Sequence, residues 1–287
     1  MRRVSVDHYE NFPVASLLCP PALRPPIAAI YWFARTADDL ADEGDVEVHQ
    51  RLRDLSDYRA ELHRAATGQE PSERWRSVFG PLRVAIRQYA LPLPLLEALL
   101  SAFEQDLVKK RYSDRQELLG YCERSANPVG RLLLHLHGIS DAVALRQSDA
   151  ICSSLQLINF WQDISIDTTR DRLYIPLVDC ERHALPERSV MAREDTAALR
   201  GALVDMVEWS RSLMDSGAPL VHRLPGRSGW ELRLVVQGGL RILSKIEKLG
   251  FSTITQRPSL KMLDAPAMLW GALGMHRAAR AAESETA

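Results

Sequence analysis

Apolar residues at helical spacing recur along the whole chain, whereas alternating strand-like runs bounded by turn residues are almost absent. The stretch "PLPLLEALLSAFEQDLVKKRY" carries an apolar stripe of leucine and phenylalanine, the pattern of an amphipathic helix. Similar stretches are "DTAALRGALVDMVEWSRSLMDS", "ELRLVVQGGLRILSKIEKLGF" and "APAMLWGALGMHRAARAA". The breaks between these stretches are too short to be interdomain linkers. The sequence therefore predicts an all-α fold, a single domain over residues 1–287 with roughly eight to twelve helices.

Charge and cysteine content exclude several classes of protein. The chain has 37 acidic and 36 basic residues and a formal net charge of −1, so no electrostatic argument favours nucleic acid. The 4 cysteines are scattered without a CxxC pair, which indicates neither a zinc site nor a disulfide framework. No apolar run approaches the ~20 residues of a membrane span, and the first residues lack the apolar core of a signal peptide. We therefore expect a reduced, cytoplasmic protein that binds no nucleic acid.

The stretch "IAAIYWFARTADDLADEGD", residues 27–45, changes from apolar to charged within one predicted helix. At about 100° per residue, its arginine and the three aspartates that follow share one face. On a lone surface helix this face would be a solvated acidic surface. Because three neighbouring carboxylates repel one another and weaken the helix, a bound cation is the alternative interpretation. The residues concerned are Arg35, Asp38, Asp39 and Asp42.

A second stretch, "LQLINFWQDISIDTTRDRLYIP" at residues 155–176, repeats the DxxxD spacing. On one continuous helix, Gln156, Asn159, Asp163 and Asp167 would fall on one narrow face. The other positions are mostly apolar, which indicates a buried helix whose polar stripe lines a cavity. No lysine four residues away compensates the carboxylates. We therefore expect the two acidic stripes to face each other across divalent ions.

The kind of ion and substrate follows from the predicted ligands. They are carboxylate and amide oxygens without a neighbouring cysteine or histidine, which favours Mg²⁺ or Mn²⁺ over zinc. Two or three such ions would suit a substrate phosphate, and Arg35, Arg170 and Arg172 flank the stripes. The sequence has neither a GxxxxGK[ST] nor a GxGxxG loop. An apolar cavity with metal and diphosphate at its mouth predicts a substrate with a long hydrocarbon tail, such as a prenyl diphosphate.

A third stretch, "YCERSANPVGRLLLHLHG" at residues 121–138, combines small residues and a proline ahead of an apolar run. Two interpretations are open for it. It can be a kinked core helix at a close approach of neighbours, or a kink that borders the predicted cavity.

Together, the three stretches resemble the squalene/phytoene synthase family of all-helical isoprenoid synthases. The matching motifs are "DDLAD", "SANPVG" and "QLINFWQDISID" with "RLYIP", and the resemblance runs from about residue 8 to residue 250. It implies the isoprenoid-synthase helical bundle, with a central apolar cavity and both aspartate motifs at one end. It also implies magnesium ligation by Asp38, Asp42, Asn159, Asp163 and Asp167, diphosphate or prenyl contacts by His8, Asn11, Tyr31, Arg35, Gln156 and Arg172, and a place near the reacting centre for Tyr121, with Asp38 and Asp163 as its catalytic companions.

Details within the family imply a particular reaction. "HYENFPVAS", "SANPVGRLLLHL" and "NFWQDISID" resemble the branch that converts presqualene diphosphate into hydroxysqualene. That branch ionises its substrate with two or three Mg²⁺ ions and captures the cation with water, and we expect no NADPH requirement. Two departures speak against joining two prenyl diphosphates: Gln162 stands where many condensing members carry arginine, and "QGGLRIL" where they often place a tyrosine.

Two other functions are open at this point. One is a condensing synthase of the squalene or phytoene synthase type, which joins two prenyl diphosphates head to head through the same metals. The other is a non-catalytic helical assembly protein, which predicts eroded aspartates, although all four outer aspartates are present here.

Partners follow from the implied reaction. We expect presqualene diphosphate as substrate and a functional association with presqualene diphosphate synthase. Residues 265–282 have an apolar face and a basic end, which predicts peripheral contact with the inner face of a membrane. Packing of this terminal helix on the bundle is the alternative.

Overall fold

The computed structural model describes residues 19–44 and 46–285, with side chains described up to residue 275. Within these residues the chain forms thirteen α-helices and no strand, which confirms the predicted all-α fold. The count exceeds the expected range because three of the helices have six residues or fewer. The helices are α1 Arg24–Asp42, α2 Val48–Ala66, α3 Arg76–Tyr89, α4 Leu93–Val108, α5 Arg115–Ser125, α6 Asn127–Leu136, α7 Ala142–Gln162, α8 Ile164–Asp167, α9 Leu177–Arg182, α10 Glu187–Met191, α11 Ala197–Gly217, α12 Gly226–Lys248 and α13 Ala265–Glu285.

Local sequence signals explain where the long helices begin. The Asp141 carboxylate accepts hydrogen bonds from two backbone N–H groups in the first turn of α7. The Thr196 hydroxyl oxygen accepts one from the Leu199 N–H at the start of α11, at 3.1 Å. Such side chains satisfy N–H groups that have no partner within the helix. Helix α1 instead begins with prolines in its first turn, where a missing N–H costs nothing.

The apolar core consists of two clusters. The first is formed by α1 to α4 around Phe33, Tyr58 and Phe79, whose rings contact one another. The second is formed mainly by α5, α7, α11 and α12. Helix α6 joins the two, because Leu132 packs in the first cluster and Leu134 in the second. Residues of α1 and α4 on one side and of α6, α7 and α12 on the other enclose the cavity described below.

Helix α7 is the centre of the second cluster, and two glycines let its neighbours approach closely. A Cβ atom on Gly130 of α6 would lie 2.3 Å from the Ser148 Oγ atom. A Cβ atom on Gly217 of α11 would lie 2.6 Å from the carbonyl oxygen of Gln147. Neither distance is compatible with a larger residue in the same packing.

The second aspartate motif does not lie on one continuous helix, so that part of the sequence prediction is wrong. Helix α7 ends at Gln162, and Asp163 leaves the helical region with φ −109° and ψ 16°. Helix α8 restarts immediately, with the Ile166 and Asp167 N–H groups donating to the Asp163 carbonyl. A tertiary hydrogen bond lies at the break: the buried Gln162 amide donates to the Pro258 carbonyl oxygen at 2.6 Å. Asp163 and Asp167 therefore point into different surroundings.

Candidate active site

A cavity of about 580 Å³ lies between the two core clusters. Along α7 it is lined from Ser148 to Asp163, a span of roughly 22 Å at 1.5 Å per residue. Its walls are mainly apolar, and the aromatic rings of Tyr31 and Phe103 form part of them. The remaining apolar lining includes Ile27, Ile30, Leu133, Leu134, Ile151, Leu155, Leu232 and Val235.

One end of this cavity is charged. Asp38 of α1 lines it together with Asn159 and Asp163 from the end of α7, so members of both predicted acidic stripes line one space, whereas Asp42 and Asp167 lie outside its lining. Two arginines, Arg35 and Arg257, line the same cavity. Carboxylate, amide and guanidinium groups are thus concentrated at one end of a mainly apolar cavity.

Arginines pair with Asp38 and Asp42 at this end. Arg35 pairs with Asp38 at 3.2 Å and with its other helix neighbour Asp39 at 2.7 Å. Arg172 forms a bidentate pair with Asp42, with N–O distances of 2.7 and 3.2 Å. Arg170 also bonds Asp42.

The partner of Asp163 is Arg257, whose Nη2 atom lies 3.1 Å from the Asp163 Oδ2 atom while its Nε contacts the other oxygen. Sequence reasoning missed this residue, because it lies in the loop between α12 and α13 without any local pattern around it. The Gln162–Pro258 hydrogen bond fixes the same loop to the end of α7. Gln162 therefore ties the loop that carries Arg257 to the end of α7.

Burial and neighbouring charges shift the pKa values at this end in different directions. Burial works to raise the pKa of Asp42, but Arg172, Arg170 and Lys110 outweigh it and the pKa is lowered. For Asp167 the balance is reversed: burial, reinforced by the neighbouring Asp163, raises the pKa to about 7. Not every carboxylate here has enough positive charge around it to stay ionised easily.

Asp106 of α4 is a further buried carboxylate beside this charged network. Burial raises its pKa to about 6, although Arg172 and a hydrogen bond from Tyr121 act in the opposite direction. The Tyr121 hydroxyl donates to the Asp106 Oδ2 atom at 2.8 Å. Burial raises the pKa of Tyr121 well above its usual value, so this phenol remains a proton donor.

The Tyr121 ring belongs to an aromatic cluster with Tyr112, Phe160 and Tyr174, in which the last two rings stack at 3.6 Å. The cluster lies behind the charged end, and Tyr121 is absent from the described lining of the cavity. Its contact with the rest of the site runs through Asp106.

The structure places the predicted site residues in four groups. Those that line the cavity are Tyr31, Arg35, Asp38, Gln156, Asn159 and Asp163. Those in the adjoining charged network are Asp42, Asp167 and Arg172. Tyr121 is in the aromatic cluster, and His8 and Asn11 lie outside the described residues.

The α5–α6 junction resolves the two interpretations of the third motif. The helix axis breaks at Ala126, with φ −119° and ψ −47°. Ser125, Ala126, Val129 and Gly130 all line the cavity. The kink borders the cavity, and the close approach of Gly130 to α7 is present as well.

The donor set at the charged end fits Mg²⁺. It consists of carboxylate oxygens and one amide oxygen on opposite walls of one cavity. In the described part of the chain, no three His, Cys, Asp or Glu side chains are already grouped as a metal cage. Mg²⁺ does not need such a cage, since it is usually bound by one or two carboxylates and completes its shell with water and substrate phosphate.

Comparisons with known proteins agree with this geometry. The sequence model of the squalene/phytoene synthase family matches residues 6–264. A hydroxysqualene synthase of Rhodopseudomonas palustris is 32% identical over 266 residues, which are 92% of this chain and 88% of the relative. A phytoene synthase of Pseudescherichia vulneris is 26% identical over 92% of this chain and 87% of the relative.

Among solved structures, squalene synthase HpnC from Alicyclobacillus acidocaldarius matches with a TM-score of 0.78 and 36% identity, covering 85% of this chain and 90% of that one. A dehydrosqualene synthase matches with a TM-score of 0.80 at 18% identity, covering 91% of this chain and 89% of that one, and supports the fold alone. The helical bundle and its acid-ended cavity are those of an isoprenoid synthase. The chain belongs to the squalene/phytoene synthase family.

Proposed function

We propose that this chain converts presqualene diphosphate and water into hydroxysqualene and diphosphate. The observation that carries the proposal is the single cavity whose walls are apolar and whose one end presents Asp38, Asn159 and Asp163 beside two arginines. The similarity to a hydroxysqualene synthase across most of both chains supports this reaction within the family.

Different residues of the cavity would bind the diphosphate and the hydrocarbon part of the substrate. Arg35 and Arg257 would bind the diphosphate oxygens, for which planar guanidinium groups are well suited. The apolar wall would bind the hydrocarbon chains and keep out bulk water, which would otherwise capture the cation too early. The faces of Tyr31 and Phe103 would stabilise positive charge that develops on carbon.

Two or three Mg²⁺ ions would be held by Asp38, Asp42, Asn159, Asp163 and Asp167. When bound, they would supply Lewis-acid neutralisation of the charge on the departing diphosphate. When Mg²⁺ binds, the arginines that pair with these carboxylates would turn toward the substrate diphosphate. The metal would then replace the arginine as the positive partner of each carboxylate. We expect no NADPH requirement, since the proposed reaction transfers no hydride.

Product identification tests the proposal. Purified protein is incubated with presqualene diphosphate and Mg²⁺, with and without NADPH, and the products are analysed by mass spectrometry. We expect hydroxysqualene in both cases and none when EDTA is present. Unchanged substrate would overturn the proposal. Consumption of farnesyl diphosphate alone would favour the condensing reaction. This reaction is the second candidate, because a phytoene synthase is 26% identical to the chain.

We also propose that the protein works in the cytoplasm against the inner face of a membrane. None of the helices in the described residues is apolar over a length sufficient to cross a bilayer. However, the start of α13 and the turn before it expose an apolar face, with Met262 93% and Trp270 73% exposed. The only charged residue between Met262 and Met275 is Asp264, which is buried. The full set forming this C-terminal apolar face is Met262, Leu263, Leu269, Trp270 and Leu273.

A lipid surface is the occupant that suits this face. Lys261 is exposed beside it, and Arg277 and Arg280 follow in the sequence; an apolar face flanked by basic residues favours anionic bilayers. Such contact would bring the cavity to a lipophilic substrate delivered by presqualene diphosphate synthase.

Vesicle binding tests this surface. Trp270→Glu should lower co-sedimentation with phosphatidylglycerol vesicles several-fold, whereas Val84→Glu, at a residue 58% exposed on α3, should not. Equal binding of both variants and the wild type would contradict the proposal. Loss of a dimer in Trp270→Glu, seen by light scattering, would instead assign the face to a second copy of the chain.

A further inference from the structure

The C-terminal turn of α1 combines features that work against a stable helix end. Three of its last five residues are aspartates, and its last turn contains no basic residue. The C-terminus of a helix carries a partial negative charge and leaves its last carbonyl oxygens without intrahelical partners. The buried residues of this part of α1 are Ala37 and Ala41, whose small side chains contribute little apolar packing. This turn therefore depends on contacts from outside α1.

Arg51, in the first turn of α2, supplies such contacts. Its guanidinium group donates to the carbonyl oxygens of Leu40 and Ala41 at the end of α1, at 3.3 and 3.0 Å. It also donates to three carbonyl oxygens of the segment between α1 and α2, those of Glu43 at 2.8 Å, Gly44 at 2.6 Å and Val46 at 3.0 Å. A guanidinium group has five N–H donors in a fixed plane. Arg51 thus acts as the C-terminal cap of α1 and fixes the turn that follows it.

Arg35 holds the same part of α1 in a different way. It pairs with the side chains of Asp38, Asp39 and Glu43, whereas the hydrogen bonds of Arg51 go to backbone oxygens. In the proposed function, Arg35 turns toward the diphosphate when Mg²⁺ replaces it at Asp38. Backbone carbonyls are not among the proposed metal ligands, so the contacts of Arg51 persist with and without the metal.

We propose that Arg51 is a positioning residue for the metal ligands of the first aspartate motif. By fixing the C-terminal turn of α1, it holds the carboxylates of Asp38 and Asp42 at the charged end of the cavity and so raises the affinity for Mg²⁺. Ligands that are already in place lose less conformational entropy when they bind. This inference rests on the magnesium site of the proposed function.

The positive charge of Arg51 alone would have the opposite effect. A cation near an acidic site repels Mg²⁺, so removal of that charge would strengthen Mg²⁺ binding. Lysine would keep the charge, but its single ammonium nitrogen has three donors and cannot bond all five carbonyls. A positioning role therefore predicts weaker binding in both Arg51→Gln and Arg51→Lys. A role of charge alone predicts stronger binding in the glutamine variant and no change in the lysine variant.

The test is calorimetric titration of Mg²⁺ into the protein in the presence of inorganic diphosphate. Arg51→Gln and Arg51→Lys should each raise the Kd for Mg²⁺ roughly tenfold, the factor that one charge-assisted hydrogen bond supplies. The rate of diphosphate release from presqualene diphosphate should return to within about twofold of the wild-type rate at saturating Mg²⁺, because no metal ligand or substrate contact is removed.

Arg53 provides a matched control on the same helix. It is exposed, and its guanidinium group donates to the side-chain oxygen of Gln50. Arg53→Gln removes the same charge from α2 and leaves the contacts of Arg51 in place. Because an exposed charge is screened by salt, the Kd for Mg²⁺ should stay within about twofold of the wild-type value.

Amide hydrogen exchange locates the effect in the chain. In the metal-free protein, Arg51→Lys should speed exchange in residues 39–44 and leave residues 155–163 unchanged, because exchange reports local opening. Weaker Mg²⁺ binding without faster exchange at the end of α1 would overturn the positioning role. Should Arg51→Gln not fold, as judged by circular dichroism, Arg51→Lys decides.

The outcomes separate this inference from the proposed function. If the wild type binds no Mg²⁺, the proposed magnesium site fails and this inference fails with it. If the wild type binds Mg²⁺ but forms no hydroxysqualene, the proposed reaction fails, and calorimetry still decides the role of Arg51. Unchanged Mg²⁺ binding in both Arg51 variants, tighter binding by Arg51→Gln, or an equal loss in Arg53→Gln would overturn the role of Arg51 alone.

Discussion

Buried carboxylates at the charged end of the cavity are held differently from the buried carboxylate at the base of α13. Asp264 accepts hydrogen bonds from Arg241 and from the Lys261 N–H, and it pairs with Lys245 at 2.5 Å. Burial acts to raise the pKa of Asp264, but these three contacts outweigh it and hold the pKa well below its usual range. At the cavity, burial raises the pKa of Asp106 to about 6 and that of Asp167 to about 7.

This difference in pKa indicates different roles for the charges around Asp264 and for those beside the cavity. The cations around Asp264 compensate it fully, so the group stabilises the attachment of α13 and needs nothing further. Beside the cavity, the cations near Asp106 and Asp167 do not offset the burial of these two carboxylates, so their ionised forms are held at a cost. A bound divalent ion would remove that cost. Carboxylates with raised pKa values beside a cavity are the electrostatic feature that marks this end as the candidate active site.

Removing a ligand oxygen at the cavity should have the largest effect. Asp38→Ala or Asp163→Ala should lower turnover roughly 10³-fold, because metal charge stabilisation is worth several kcal/mol. Diphosphate release measures the loss, and circular dichroism checks that the helices remain. Asp215→Ala, at an exposed aspartate on α11, is the control. Near-normal turnover in either cavity variant would remove that residue from the ligand set.

Removing the compensated carboxylate should affect stability instead. Asp264→Asn should lower the free energy of unfolding by about 2 kcal/mol at pH 7, since it leaves the half-buried Arg241 and Lys245 with a weaker partner. The folded pKa of Asp264 lies below the unfolded value, so its contribution is present above pH ~4 and is lost as the pH falls. Urea unfolding of the wild type and the variant should converge toward low pH. A constant difference between pH 7 and pH 3 would contradict this account.

Asp106 should show the opposite sign with a smaller magnitude. Its folded pKa is raised, so the folded state binds the proton more tightly than the unfolded state and stability falls as the pH rises through about 6. In EDTA, Asp106→Asn should raise the free energy of unfolding by about 1 kcal/mol at pH 8 and hardly change it at pH 4.5. Destabilisation of this variant at pH 8 would show that the ionised carboxylate is better compensated than the contacts indicate.

The first aspartate motif was predictable from the sequence, because its logic is local. Arg35 and Asp38 lie on one regular helix, and a 3.6-residue period is enough to place them on one face. The kink after Ser125 was likewise indicated by small residues and a proline next to an apolar run, whereas its border with the cavity was one of two open interpretations.

The second motif was predictable only in part, because its geometry depends on tertiary contacts. The chain leaves the helix at Asp163, where Gln162 is tied to a loop almost 100 residues further on. That loop supplies Arg257. Neither the break nor the partner has a periodic signal. The placement of Tyr121 behind the cavity depends on Asp106, which resembles any polar residue on an amphipathic helix until α4 and α5 are packed together.

The claim that the carboxylates at the charged end of the cavity form a binding site for divalent cations is tested most directly by calorimetric titration of Mg²⁺ into the protein in the presence of inorganic diphosphate. The account predicts saturable binding by the wild type at pH 7.5, accompanied by a higher melting temperature, with both effects abolished in the Asp38→Ala/Asp163→Ala double variant and retained in Asp264→Asn. Equal binding by the double variant, or no Mg²⁺ binding by the wild type, would contradict it.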